Sequence, residues 1–423
     1  MTSTAPSLLN KRILPFAFFG NALEFYEFTV YAIFAPLFAK EFFVTDSETL
    51  SLIYSWAVFA IAFFTRPFGA FVFGYIGDKL GRKIALSFSI LSMAGATLSM
   101  GLLPTYEAAG LFAPISMICL RMIQGISTGG EYNGAAIYLI EKFQYKRPGL
   151  IGGISMASCV VGSLTGTIFG KWCSAHDLWR LAFIMGGVFG MILFFLRFML
   201  TESLVLDVKS KILHNVQKLP MRLYVSKFVA NIAIAGFNGS LAYTLFGFSI
   251  MYLQKYVGYS QPEAFNLNIA GMAMFLISNP FWGYVYDKLQ PNYWKLIIVF
   301  DCVMTVVVFN MIHTPIYGLN LAGMMILGTL TASIAGPSHA FFQEGIRPEI
   351  RYRFVSISCA TGMALIGGIT PIVLTYLIQT YQMLYAPCYW VGTLGVITWI
   401  ICKVMYKIWE GHLNDSENNK INY

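Results

Sequence analysis

The sequence predicts an all-α membrane protein, with twelve transmembrane helices in two six-helix bundles. Three observations predict it. Of the 423 residues, 57% are hydrophobic and only 11% are charged, against roughly 25% charge in an ordinary soluble domain. Apolar runs recur from Ile13 almost to the C-terminus, each close to the ~20 residues that cross a bilayer core of about 30 Å at 1.5 Å per residue. Lysine and arginine, finally, are sorted between alternate connections. Such a composition cannot coat a water-soluble surface, which excludes a disordered regulator, a collagen, a soluble enzyme and a DNA-binding domain.

Taken in order, the spans fall near 13–38, 51–73, 84–104, 110–139, 149–170, 179–200, 226–254, 265–284, 294–313, 316–342, 354–379 and 384–406. The first carries Glu24 and Glu27 and no A-x-A cleavage site, so it reads as a retained signal anchor. With the N-terminus inside, 21 of the 28 Lys and Arg lie on the cytoplasmic side, while Lys40, Lys171, Arg180 and Lys255 lie opposite; this is the positive-inside bias. The net charge of +8 is therefore topological, and no nucleic-acid partner is expected. Seven cysteines without CxxC or Cys/His spacing read as small core residues rather than metal ligands or disulfides.

The polar stretch from Thr201 to Ser226 divides the chain six and six. It defines an N-terminal bundle (1–200), a central loop (201–225), a C-terminal bundle (226–407) and a tail (408–423), with both termini cytoplasmic. The turn Gly74-Tyr-Ile-Gly-Asp78-Lys79 after span 2 returns 209 residues later as Gly283-Tyr-Val-Tyr-Asp287-Lys288 after span 8. Two repeated bundles place a ligand site between them near the midplane.

Residues 74–83, GYIGDKLGRK, fit GxxxD(R/K)xGR(K/R) at every defined position, and so resemble the signature of the major facilitator superfamily. Glycines such as Gly74 and Gly81 allow a tight turn, Asp78 can face the positive N-terminus of a neighbouring helix, and Arg82 and Lys83 stay at the anionic leaflet. The competing reading is a positive-inside loop without a gating role. The second copy has Leu289-Gln290-Pro291-Asn292 in place of GR(K/R), which predicts a weaker or differently built gate at Asp287.

A narrower resemblance, to the metabolite:proton symporter branch, runs through GNALEFYEFTVYA (20–32), TRPFGAFVFGYIGDKLGRK (65–83) and RMIQGISTGGEYNGAAIYLIE (121–141, ending at Glu141). It continues through LWRLAF (178–183), LTES (200–203), QEGIRPEIR (343–351) and GGITP (367–371). That branch includes proline/betaine, 2-oxoglutarate, citrate and shikimate transporters. The aspartate usual in its first span is Glu27 here, one methylene longer.

Charges within the bilayer demand partners or a wet cavity, since each costs roughly 2.5–3.5 kcal/mol at the midplane. Asn21, Glu24, Glu27 and Tyr31 form one polar stripe on span 1; Arg121, Gln124, Thr128 and Glu131 form another on span 4. Three acids (Glu24, Glu27, Glu131) face two arginines (Arg66, Arg121), so one acid lacks a cation and can carry a proton. Glu27 is the first choice and Glu24 the second. The alternative is a permanent structural pair. Arg66 and Arg121 can grip a carboxylate two-pronged, although Arg121 can equally lock span 4 to span 1. Glu131 suits a cytoplasmic gate better than direct proton carriage.

In the second half, Asn231, Asn238 and Tyr243 can bind a ligand or merely join helices, and Asp301 is expected to reach interface water. His339 stands near the repeat-related place of Glu131, either titrating or simply hydrogen-bonded. Glu344 with Arg347, Arg351 and Arg353 resembles a latch between spans 10 and 11, or a solvated loop. Gly162, Gly166 and Gly170 on span 5, and Gly362, Gly367, Gly368 and Pro371 on span 11, form small-residue seams.

GxxxxGK(S/T) is absent, as are catalytic triads and HExxH. The expectation is a non-enzymatic transporter, monomeric, with no cofactor and the proton as coupling ion, taking up a carboxylate or zwitterion by alternating access. Export of a drug or siderophore and a transport-dead nutrient sensor are the alternatives. Residues 408–423 lack the heptads of an osmosensing coiled coil.

Overall fold

The protein's structure, a computed structural model, describes residues 8–79, 82–129, 131–142, 147–198, 220–290 and 292–421. Helix follows helix: α1 (Leu8–Glu41), α2 (Glu48–Lys79), α3 (Arg82–Leu102), the short α4 (Tyr106–Ala109), α5 (Phe112–Thr128), α6 (Glu131–Lys142), α7 (Pro148–Ala175) and α8 (Trp179–Phe198) make the first half. The second half comprises α9 (Met221–Tyr243), α10 (Ser249–Tyr252), α11 (Gln261–Leu289), α12 (Tyr293–Ile312), α13 (Tyr317–Gln343), α14 (Pro348–Gly362), α15 (Thr370–Tyr381) and α16 (Ala386–Ile421). Among the described residues, nine helical segments are long and apolar enough to cross a membrane, and Ser87–Leu102 and Phe112–Thr128 are shorter apolar helices. With α11, these make the twelve crossings.

Three crossings are not single helices. Span 4 is divided into α5 and α6. Span 7 passes from α9 through π-helical turns at Thr244–Phe248 and Leu253–Val257, and span 11 through one at Met363–Gly367. A π turn displaces backbone carbonyls from their usual partners, so something else must satisfy them. In span 7 the amide Nδ2 of Asn268 on α11 does this, donating to the Leu245 carbonyl, to the Phe246 carbonyl at 3.0 Å and to Ser249 Oγ at 2.8 Å. The glycine seam of span 11 lies at its π turn, where the Gly368 N–H bonds the Met363 carbonyl at 2.7 Å.

Proline starts α7 and α14 at positions where the missing N–H costs nothing. A Ser260/Glu263 capping box starts α11.

Close backbone contacts tie the helices together. A Cβ added at Gly162 on α7 would lie 1.8 Å from the Ala22 carbonyl oxygen on α1, and one at Gly149 would lie 2.3 Å from that of Gly283 on α11. The second contact joins the two halves at the end of the bundle where α2 and α11 end and α7 and α14 begin. At the opposite end a vestibule of about 940 Å³ lies between them, lined by residues including Phe34, Leu37, Ile250, Gln254 and Phe265. Lys255 bridges it to Glu48 at 2.8 Å, Gln261 donates to Ser174 Oγ at 2.7 Å, and Lys171 reaches Asn266.

One expectation changes here. Asp301 reaches no interface water, being fully buried, because the rotation of α12 turns it toward α13. From 408 to Ile421 the chain continues α16 as helix.

Candidate functional site

The polar stripe of α1 meets α2 and α5 at the centre of the first half. Arg66 Nη2 lies 2.9 Å from Glu24 Oε1, and both residues are buried. Pro67 follows Arg66 within α2. Glu24 is thus the acid held by an arginine.

Glu27, one turn further along, has no cation within 4.0 Å among the described residues. Its Oε2 accepts a hydrogen bond from Gln124 Nε2 at 3.1 Å, and its Oε1 has no hydrogen-bond partner. Gln124 is shared: its Oε1 accepts from Arg121 Nη1 at 2.7 Å, and its Nε2 also donates to Thr97 Oγ1 at 2.6 Å on α3. Arg121 Nη2 bonds the Phe59 carbonyl at 3.3 Å, and its Nε has no partner. This guanidinium is buried with neutral hydrogen-bond acceptors only, which leaves it able to take a carboxylate.

Aromatic faces enclose both guanidinium groups. Arg66 lies 4.4 Å from the centroid of Phe28 and 4.6 Å from that of Phe63. Arg121 lies 4.3 Å from Tyr31, 4.9 Å from Phe28 and 5.6 Å from Phe59. Tyr243, from the second half, packs its ring 5.3 Å from Phe59 and 4.8 Å from Phe63. Phe25 meets Phe246 and Trp56 meets Phe248 at the same level. Along α1 the buried charged groups end at Glu27 and the vestibule lining begins at Ile33, so these rings form the floor between the vestibule and those buried charges. They present negative π faces that suit a cation, a quaternary ammonium included.

The Tyr31 ring belongs to this cluster, and its hydroxyl donates to the Ser55 carbonyl at 3.2 Å. Other predicted residues lie apart from it: Asn21 donates to Ser158 Oγ at 3.3 Å and ties α1 to α7. Asn231 joins α9 to α13 and α14 through the Phe342 carbonyl and Ser358. Asn238 is buried on α9 with an unpartnered Oδ1. His339 is buried on α13 beside Gly152 of α7. Sequence reasoning missed Thr97 and the rings of Phe28, Phe59 and Phe63. Thr97 alone carried a signal, as a polar residue in an apolar run.

Where α7 begins, Asp287 caps it: its Oδ1 accepts the Gly149 N–H at 2.7 Å and its Oδ2 the Leu150 N–H at 3.0 Å. Burial raises its carboxyl above the ordinary value, while the Leu150 and Gly149 N–H groups and Arg147 pull the other way. Glu344 accepts from the Tyr286 hydroxyl at 3.2 Å, which ties the acid of the expected latch to α11, and Arg347 is the N-cap residue of α14. Gly74 lies within α2, whereas Gly81 and the side chains of Asp78, Arg82, Lys83, Glu131 and Glu141 lie outside the described residues.

The sequence profile of the Major Facilitator Superfamily matches residues 17–371. A putative proline/betaine transporter of Staphylococcus haemolyticus is 30% identical over 404 residues, covering 92% of this chain and 86% of the relative. The proline/betaine transporter of Escherichia coli is 27% identical, covering 93% and 83%. Among solved structures, a D-xylose–proton symporter superposes with a TM-score of 0.73 at 16% identity, covering 92% of this chain and 96% of that one. A bacterial homologue of the human lysosomal transporter Spinster gives 0.62 at 14%, covering 95% and 96%. At such identities the structures speak for the fold alone.

Proposed function

The chain belongs to the Major Facilitator Superfamily, and on that premise we propose that it takes up a small zwitterion, proline or betaine first among candidates, together with a proton. The relatives named as proline/betaine transporters support the substrate class. The observation that carries the reading is the pairing pattern: Glu24 has its arginine, whereas Arg121 and Glu27 share only the amide of Gln124.

The geometry gives a coupling rule. With Glu27 ionised, its charge is balanced by Arg121 through Gln124. A substrate carboxylate landing on Arg121 takes that counter-charge, and Glu27 then balances only by taking up a proton. Substrate and proton are bound together, and neither is favoured alone. The substrate's ammonium packs against the Tyr243 ring, which the second half contributes, while Asn238 offers an unused acceptor. Arg66 is a second carboxylate grip, available when Glu24 is protonated.

Both termini lie in the cytoplasm of a cell whose inner membrane holds the protein as a monomer, in agreement with the lysine and arginine sorting. The vestibule then faces outward and Asp287 closes the inner gate, as befits uptake. Asp78, with Gly74, Gly81, Arg82 and Lys83, serves the repeat-related gate at the start of α14; Glu131, Glu141, Glu344 and Arg347 line the same cytoplasmic end. No cofactor beyond the proton is required.

The test is uptake by the purified protein in liposomes, comparing proline and betaine with a dicarboxylate, a tricarboxylate and an aromatic acid. Zwitterion accumulation that collapses with the proton gradient is expected. Accumulation of another class alone refutes the substrate, and flux only outward refutes the direction.

A further inference from the structure

Asp301 lies deep in α12, away from the charged cluster, and none of the roles above uses it. Its side chain is fully buried against α13, where Asp301 Oδ2 is 2.8 Å from Ser333 Oγ. Ser333 Oγ is also 2.7 Å from the Leu330 carbonyl oxygen, one turn back on its own helix. A serine hydroxyl has one hydrogen to donate. Shared between two oxygens, that one hydrogen serves each less well, whereas a proton on the Asp301 carboxyl group gives each short contact a hydrogen of its own. The chain then runs Asp301 Oδ2–H to Ser333 Oγ, and Ser333 O–H to the Leu330 carbonyl.

The surroundings agree. Asp301 Oδ1 is buried with no hydrogen-bond partner, and no lysine or arginine of the described residues comes within 4.0 Å. An ionised carboxylate there would be an uncompensated buried charge, whereas the carbonyl oxygen of an acid is a modest loss. The titratable groups packed nearby are neutral donors. The Tyr293 hydroxyl donates to the Ser333 carbonyl at 2.6 Å, and Cys302 turns its Sγ to the Gly392 carbonyl of α16. On α12 and α16, Lys295 lies over the Tyr406 ring and Lys403 over the Trp399 ring. His339 stands six residues further along α13.

We propose that Asp301 is a second proton-binding site, a carboxylic acid that holds one resident proton between α12 and α13 throughout transport. The proton is resident because neither of the two cavities of the described residues reaches it. The vestibule has no lining residue from α12, and a small cavity of about 10 Å³ touches α12 only at Phe309 and Ile312, more than two turns away. Glu27, by contrast, sits beneath the aromatic floor of the vestibule.

Infrared spectroscopy of the purified full-length protein tests this directly. The wild-type minus Asp301→Asn difference should show one protonated carboxyl carbonyl band, slow to exchange in deuterated water and unmoved by added proline or betaine. A carboxylate band in its place overturns the proposal. Asn at this position keeps an N–H donor for Ser333, so the proton-to-substrate ratio of Asp301→Asn should equal that of the parent; a lowered ratio would make the proton a coupling proton and overturn residency. Ser333→Ala serves if Asp301→Asn does not fold: the carbonyl band should shift toward that of a free acid, and its replacement by a carboxylate band refutes the assignment. The infrared result stands whichever substrate is transported.

Discussion

Replacing Asp287 with alanine should open the cytoplasmic gate. In the closed gate this carboxylate accepts two backbone N–H groups at the start of α7, at 2.7 and 3.0 Å, beside the contact of Gly149 with Gly283. Hydrogen bonds to a charged group contribute about 1.5–3 kcal/mol each, and the helix N-terminus favours the anion. Half-burial of the carboxyl works against both and raises its pKa above the ordinary value. We therefore assign about 2 kcal/mol to the loss, which shifts the closed-to-open ratio roughly 30-fold. Spin labels at the lipid-facing Ile154 on α7 and Phe281 on α11 read the separation of the halves. Asp287→Ala should move the distance distribution toward longer values, with Asp287→Asn intermediate because one acceptor survives. An unchanged distribution in Asp287→Ala, with uptake intact, would refute the reasoning.

Two further substitutions probe the site and its scaffold. Arg121→Lys keeps the charge but loses the planar fork that reaches Gln124 and Phe59 together, so zwitterion affinity measured by calorimetry should fall at least about tenfold; unchanged affinity removes Arg121 from the substrate site. Gly162→Ala places a Cβ 1.8 Å from the Ala22 carbonyl oxygen, and forcing α1 from α7 should cost about 1–3 kcal/mol, seen as a lower thermal midpoint in detergent. An unmoved midpoint would contradict that packing.

Much of this architecture is legible in residue order. Apolar runs mark the crossings because a bilayer fixes their length, and the rarity of charge makes Glu24, Glu27, Arg66 and Arg121 stand out. The Gly-x-x-x-Asp turn is visible twice in the sequence, and at its second copy Asp287 caps α7. What order along the chain does not contain is rotation about each helix axis. Glu24 and Glu27 share a stripe, and only the placement of α2 and α5 decides that Arg66 meets the first while Gln124 meets the second. The same rotation buries Asp301, for which counting residues gave depth but not facing. The π turns of spans 7 and 11 also escape, since the Asn268 amide that satisfies the Leu245 and Phe246 carbonyls lies on another helix.

The central claim is that Glu27 carries the coupled proton. In liposomes with an inward proton gradient, Glu27→Gln should abolish accumulation of the zwitterion while leaving exchange of labelled for unlabelled substrate in place, because the amide keeps the hydrogen bond to Gln124 but cannot cycle a proton. Accumulation that persists in Glu27→Gln and still collapses with the gradient would contradict the account.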